Sequence, residues 1–369
     1  MKDSVSLYIH FPFCVRKCNY CSFYSVAYGD GEIFDKYTNA VIKRINSLPR
    51  HQVRTVYFGG GTPTVLGVER LNEILETVVK TQSLDQNAEI TLEANPKTVK
   101  GNDFNILRDA GFNRLSLGFQ SGDEDTLKLL GRIYGANDFY KCYDEAYKHF
   151  TNISVDIMFA LPYDKSKGYS IKPLCETLEA LTAMKVPHIS AYSLILEEGT
   201  PLYRNKSSYA FPDENREEDE YTFICSYLSD EGYQHYEISS FSLPGFESRH
   251  NPIYWKRGSY IGIGPAAHSY YNNRRFSAPP DIDYFIKNAD RPFLADTDYD
   301  FAKEITPDEA EKERIMLGLR TSDGVLLERE KLIIAEKLSE AGFGSLKGNV
   351  FSLNDKGFRV SNSVITLLI

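Results

Sequence analysis

Residues 88–122, AEITLEANPKTVKGNDFNILRDAGFNRLSLGFQSG, decide how this chain is built. AEITLEANP and NRLSLGFQSG are apolar runs that end in turn-forming residues, as strands do, and FNILRDAG between them has helical periodicity. Two strands separated by a helix are joined by a crossover and lie parallel.

The same unit recurs on either side. SLYIHF, RTVYFGGG, ISVDIMFALP and HISAYSL read as further strands; IFDKYTNAVIKRI, VERLNEILETVV, DFYKCYDEAY and IKPLCETLEAL read as helices. Such alternation leaves an open doubly wound sheet or a full or partial barrel. Polar positions choose between them. Ile90 and Leu92 alternate with Glu89, Thr91 and Glu93; Leu115, Leu117 and Phe119 alternate with Ser116, Gly118 and Gln120; Val155 and Ile157 flank Asp156. One such residue alone is a strand end meeting solvent. Three strands in step point to the inner face of a barrel at its carboxyl end, where such enzymes place their chemistry.

The expected fold is therefore α/β, a partial (β/α)6 TIM-type barrel over residues 1–200. Beyond Tyr192 the alternation breaks. Residues 201–300 are expected to be an irregular extension with one clear helix, EEDEYTFICSYLSDEG. Residues 301–369 open on the helix EAEKERIMLGL, close on a hairpin-like FSLNDKGFRVSN, and are expected to form a small helical or winged-helix domain.

Composition narrows the function. A chain of 369 residues with 42% hydrophobic content exceeds one core, so two or three packed units are expected. The net charge of -9 argues against general nucleic-acid binding. DENREEDE, from Asp213, reads as a solvated helix start. No apolar run approaches the ~18 residues of a membrane span, and SVSLYIHF is too short for a secretory signal, so a cytoplasmic location is expected.

Six scattered cysteines do not make a disulfide scaffold, yet three of them crowd into FPFCVRKCNYCSF, residues 11–23. Cys14, Cys18 and Cys21 could close a zinc site with His10 as fourth ligand. Alternatively they hold an iron–sulfur cluster. Neither ordinary four-cysteine ferredoxin spacing fits, because Ser22 and Phe23 follow Cys21. Three thiolates on four irons leave one iron open, by the logic that separates open catalytic metal sites from closed structural ones. Cys142, Cys175 and Cys225 lie on helical patterns and receive no assignment.

CVRKCNYC after an aromatic-rich strand resembles the cluster motif of the radical S-adenosylmethionine (SAM) family. YIHFPFC, FGGGTPT, EANP, RLSLGFQSG, LLGRIYG and VDIMFALP are similar to its branch containing oxygen-independent coproporphyrinogen-III oxidase and the heme chaperones. The resemblance implies a [4Fe–4S] cluster on Cys14, Cys18 and Cys21, with SAM on the remaining iron. It implies that Gly60, Gly61 and Thr62 hold the methionine end of SAM, that Tyr8 packs beside it, and that Glu93, Gln120, Arg132 and Asp156 complete the cradle.

Within the branch, the oxidases carry a further cysteine where this chain has Phe23, and a longer segment before the cluster. HNPIYW, residues 250–255, matches the HNxxYW signature of the chaperone side, and YIGIGPAAHSY with His268 follows as in both. The resemblance therefore implies heme binding and delivery to heme-accepting proteins, respiratory ones among the candidates, without coproporphyrinogen oxidase activity. The oxidase, or a radical enzyme on another substrate, is the alternative. His250 is the expected axial heme ligand, with Tyr254 and Trp255 as flat apolar surface and Arg249, Lys256 and Arg257 for the propionates. The competing ligand is His268, and the bland alternative is a surface turn at Asn251, Pro252 and Gly258.

Overall fold

The structure, a computed structural model, describes residues 4–27, 31–293 and 299–369. Strands and helices alternate as β1 (Val5–Phe11), α1 (Gly31–Asn46), β2 (Gln52–Gly60), α2 (Val68–Thr81), β3 (Ser83–Ala94), α3 (Gly101–Ala110) and β4 (Arg114–Gln120). They continue through α4 (Glu124–Leu129), α5 (Ala136–Tyr147), β5 (Ile153–Phe159), α6 (Lys172–Ala183) and β6 (His188–Ser193). All six expected strands are present, in the strand–helix order of a partial (β/α)6 TIM-type barrel. β1, β2, β3 and β4 pair in parallel, with Tyr8 opposite Tyr57, Tyr57 opposite Thr91, and Glu93 opposite Ser116.

The segment expected to be irregular is largely regular. It contains α7 (Glu214–Asp230), β7 (Gln234–Glu237), β8 (Ser240–Ser242), α8 (Asn251–Trp255), β9 (Tyr260–Ile263), β10 (His268–Tyr271), β11 (Arg274–Ser277) and α9 (Ile282–Lys287). Its strands are three or four residues long, too short to display an alternation of their own. β9 runs parallel to β1, placing Gly262 opposite Tyr8.

The tail comprises β12 (Phe301–Glu304), α10 (Pro307–Gly318), β13 (Val325–Leu326), α11 (Glu330–Glu340), β14 (Gly344–Lys347), β15 (Val350–Leu353), α12 (Asp355–Arg359) and α13 (Ser361–Leu368). The hairpin pairs β14 with β15, so it lies earlier than FSLNDKGFRVSN implied. Gly348 at φ +60°, followed by Asn349, makes the turn. Asn354 then caps α12, its side chain accepting from Gly357 N at 3.0 Å, which turns the rest of that stretch helical.

Contacts group the chain into two units. One comprises Met1–Asp156, Ile195–Ser208 and Ser259–Glu304; the other comprises Ile157–Leu194, Tyr209–Gly258 and Ile305–Ile369. In the first, the strand order is β12-β11-β10-β9-β1-β2-β3-β4. Leu7, Ile9, Phe11, Val56, Phe58, Leu92, Leu115 and Leu117 are fully buried on its apolar face. α1 and α2 cover that face, burying Tyr37, Val41 and Ile45, and Leu71, Ile74 and Val78. The opposite face carries buried Glu89, Thr91, Arg114, Ser116 and Gln120. In the second unit β8 pairs antiparallel with β6 and β7, and β13, β15 and β14 form a separate three-stranded sheet. Among the described residues no helix is long and apolar enough to cross a membrane.

Candidate cluster and SAM site

The three clustered cysteines sit on a loop tied at several points. Phe13–Cys14 bridges in parallel to Val26–Ala27. Gly61 N donates to Phe11 O and Thr62 N to Phe13 O, each at 2.7 Å, which binds the end of β2 to the start of the loop. Farther on, Asn19 N donates to Leu130 O at 2.9 Å and Asn19 Nδ2 to Leu129 O at 2.8 Å. The glycines here leave no space for a side chain. A Cβ on Gly61 would stand 2.6 Å from Phe13 O and 3.1 Å from Cys14 Sγ; one on Gly60, where φ is +112°, would stand 2.5 Å from the His10 ring.

Hydrogen bonds run from one cysteine to another. Thr62 Oγ1 donates to Cys14 Sγ at 3.7 Å, and Asn95 Nδ2 donates to Thr62 Oγ1 at 2.9 Å. Arg132 Nη2 donates to Asn95 Oδ1 at 2.5 Å and Arg132 Nη1 to Cys18 Sγ at 3.1 Å. Burial pushes the Cys14 and Cys21 thiols up, so metal binding there releases protons.

The donor set fits a cluster better than one zinc ion. Among the described residues, three Cys, His, Asp or Glu ligand atoms lie within 4.8 Å of one another only at Cys225, His235 and Asp355. The Cys14, Cys18 and Cys21 sulfurs are thus spread wider than the roughly 3.3–3.8 Å between ligands of a tetrahedral zinc. His10 has no lone pair to lend. Its Nε2 lies 3.0 Å from the Tyr24 carbonyl, so it carries the proton, and Nδ1 accepts the Tyr8 hydroxyl at 3.0 Å. Burial lowers its pKa to about 4, keeping the ring neutral.

Behind the loop, polar side chains project from successive strands. Glu93 accepts from Tyr57 Oη at 2.7 Å and from Gly60 N at 3.0 Å. Burial, with the nearby Asp156 charge adding to it, raises Glu93 to about 7. Asp156 accepts from Ser116 Oγ at 3.1 Å. Gln120 ends β4 at φ +68°, and its Oε1 lies 3.1 Å from Tyr134 Oη. Arg132 stacks on Tyr134, 4.5 Å from the ring centroid. Gly118 lets these groups meet: a Cβ there would be 2.8 Å from Asn95 Oδ1 and 2.9 Å from Arg132 Nη2.

Tyr8, Gly60, Gly61, Thr62, Glu93, Gln120, Arg132 and Asp156 thus all fall in the first unit with the three cysteines. Asn95, Tyr134 and Tyr57, which link them, had no role in the sequence reading. Asn95 and Tyr134 lie inside EANP and LLGRIYG, but nothing in the linear text says that they touch. His250 belongs to the second unit, where it precedes α8, is 1% exposed, and has Nε2 2.8 Å from Tyr254 Oη. His268, on β10 in the first unit, is exposed.

The model of the Radical SAM superfamily matches residues 8–168. A protein described as heme chaperone HemW from Lactococcus lactis subsp. lactis (strain IL1403) is 33% identical over 375 aligned positions, covering 97% of this chain and 96% of that one. The chain belongs to the HemW family of radical SAM proteins. Another HemW, from Bacillus subtilis (strain 168), is 32% identical over 95% of this chain and 92% of its own. Coproporphyrinogen III oxidase (HemN) from Escherichia coli, a radical SAM enzyme, superposes with TM-score 0.83 over 100% of this chain and 90% of that one, at 18% identity. That likeness establishes the fold alone. Membership in the radical SAM superfamily brings a [4Fe–4S] cluster and SAM, which together supply one-electron chemistry when bound. Phe23, two residues past Cys21, is 68% exposed in this HemW-family chain.

Proposed function

We propose that this chain is a heme chaperone. It holds a [4Fe–4S] cluster through Cys14, Cys18 and Cys21, seats SAM against Gly60, Gly61 and Thr62, and completes that cradle with Tyr8, Glu93, Gln120, Arg132 and Asp156. It carries heme for delivery to acceptor proteins in the cytoplasm. The supporting observation is end-to-end similarity to chains described as heme chaperones, at 33% and 32% identity.

His250 is the proposed axial ligand. In this structure its Nε2 is engaged by Tyr254 Oη at 2.8 Å, so binding through that nitrogen requires the hydroxyl to leave. Exposure favours His268 as a second reading; desolvation of its ring, then the Arg275 charge, lowers its pKa and keeps it a neutral donor.

Anaerobically reconstituted protein, given heme, is expected to retain it and pass it to an apo-acceptor. Given coproporphyrinogen, SAM and a reductant, it is expected to yield no decarboxylated product. Decarboxylation without heme transfer would make the chain an oxidase. His250→Ala should remove or shift the Soret band while leaving the cluster spectrum intact. An unchanged Soret band in that variant, with its loss in His268→Ala, moves the ligand to His268.

A further inference from the structure

The second unit brings Cys225, His235 and Asp355 to one point, the last of them 120 residues from His235 in sequence, and no part of the proposed function uses them. Cys225 lies on α7, His235 on β7 and Asp355 on α12. His235 Nδ1 lies 2.8 Å from Asp355 Oδ1 and 3.9 Å from Cys225 Sγ, and all three atoms lie within 4.8 Å of one another.

Both contacts fall on the same ring nitrogen. A Cys–His–Asp relay would need the thiol and the carboxylate on opposite nitrogens of the imidazole, as in a catalytic triad. Here all three groups aim donor atoms at one shared space. The other nitrogen sharpens the point. Tyr221 Oη donates its one proton to Ile238 O at 2.7 Å, so at 3.4 Å from His235 Nε2 its oxygen can only accept. A proton on Nδ1 would give an ordinary bond to Asp355, whereas a cation in the shared space would take lone pairs from all three groups at once.

We propose that Cys225, His235 and Asp355 form a binding site for one zinc-type divalent cation, with solvent as the fourth ligand. Thiolate, imidazole and carboxylate are the donor types zinc takes, and a tetrahedral ion separates them by roughly 3.3–3.8 Å. The Cys225–His235 separation of 3.9 Å is close to this, and Asp355 needs to retreat by about half an ångström from 2.8 Å. It has room, since its side chain is 55% exposed whereas that of His235 is 10% exposed. The exposed carboxylate also marks the entry path. Phe241 stacks on the imidazole at 4.3 Å and 18°, and Tyr221 Oη lies 3.4 Å from Nε2, so the ring plane is set as the outer shell of a metal site sets it. The neighbouring cation, Arg359, donates to Glu218 at 3.2 Å, which offsets its repulsion. A bound ion would fasten the C-terminal α12 to α7 and β7.

The proposal rests on neither the heme nor the SAM assignment, and its test removes the other thiol cluster. Full-length protein carrying Cys14→Ser, Cys18→Ser and Cys21→Ser, freed of metal, is titrated anaerobically with Co2+. One equivalent should bind with thiolate-to-cobalt charge transfer in the near ultraviolet and four-coordinate bands in the visible, and Zn2+ should displace it and raise the Tm. Adding Cys225→Ser should abolish the charge-transfer band, and adding Asp355→Asn should weaken Co2+ at least tenfold. Absence of stoichiometric binding, or a thiolate band that survives Cys225→Ser, overturns the proposal. Should the Cys225 variant fail to fold, the exposed Asp355→Asn decides, and unchanged affinity there overturns it equally.

Discussion

Arg132 divides its guanidinium between Asn95 and the sulfur of Cys18, while its flat face rests on Tyr134. A lysine cannot reproduce that fork. Arg132→Ala should lower reconstituted iron per chain severalfold and shift the remaining cluster to a more negative potential, because a positive hydrogen-bond donor to sulfur stabilises the reduced state. Iron analysis and an EPR-monitored redox titration check both. Glu93 offers a pH test. Its folded pKa of about 7 lies above the ordinary 4.5, so the folded state binds the extra proton. The stability this lends is full below about 4.5 and is lost as pH rises through about 7. Glu93→Gln should therefore flatten that part of the difference between unfolding curves of cluster-free protein at pH 4.5 and 7.5. An unaltered pH dependence would mean that Glu93 keeps its ordinary pKa on folding.

At the scale of elements, the helices and long strands were legible because each carries its own period. α2 buries Leu71, Ile74, Leu75 and Val78 at helical spacing, and β4 sets Leu115, Leu117 and Phe119 against Ser116, Gly118 and Gln120. β7 to β11 span too few residues for any period to register, and the Gly348 and Asn349 turn was the overlooked signal for the last hairpin. Gly118 shows how an element serves the site. Its missing side chain admits Arg132 Nη2, which would be 2.9 Å from a Cβ. Gly118→Ala, with ordinary strand backbone, should fold while displacing Arg132 and Asn95, weakening SAM binding about tenfold or more, as equilibrium binding to the reconstituted protein would show. Unchanged SAM affinity would place the ligand away from this corner.

For the whole molecule, burying polar residues inside a sheet is a cost that the fold must offset. Deep in the first unit Arg114 Nε lies 4.0 Å from Glu89 Oε2, with side chains only 3% and 2% exposed. Removing one partner of such a pair leaves a buried charge and typically costs ~3–5 kcal/mol. Arg114→Met should lower stability by about that much in denaturant unfolding, and adding Glu89→Leu should recover a good part of it. A single-variant loss below ~1 kcal/mol would show that water reaches the pair.

The sequence by itself determined the barrel class, the order of its six strands, and the three-cysteine loop, because periodicity and short-range spacing are local properties that survive in linear text. It also marked Glu93, Gln120 and Asp156 as one polar face through alternation. The tertiary structure alone decided what those residues touch. Thr62, Asn95, Arg132 and Cys18 become one hydrogen-bonded chain only when β2, β3 and the α4–α5 connection meet. The withdrawal of His10 from metal binding rests on a carbonyl 14 residues away, and the meeting of Cys225 with Asp355 on folding across a far longer span. No periodicity encodes such contacts, since they arise from packing between elements whose separation along the chain bears no fixed relation to their distance in space.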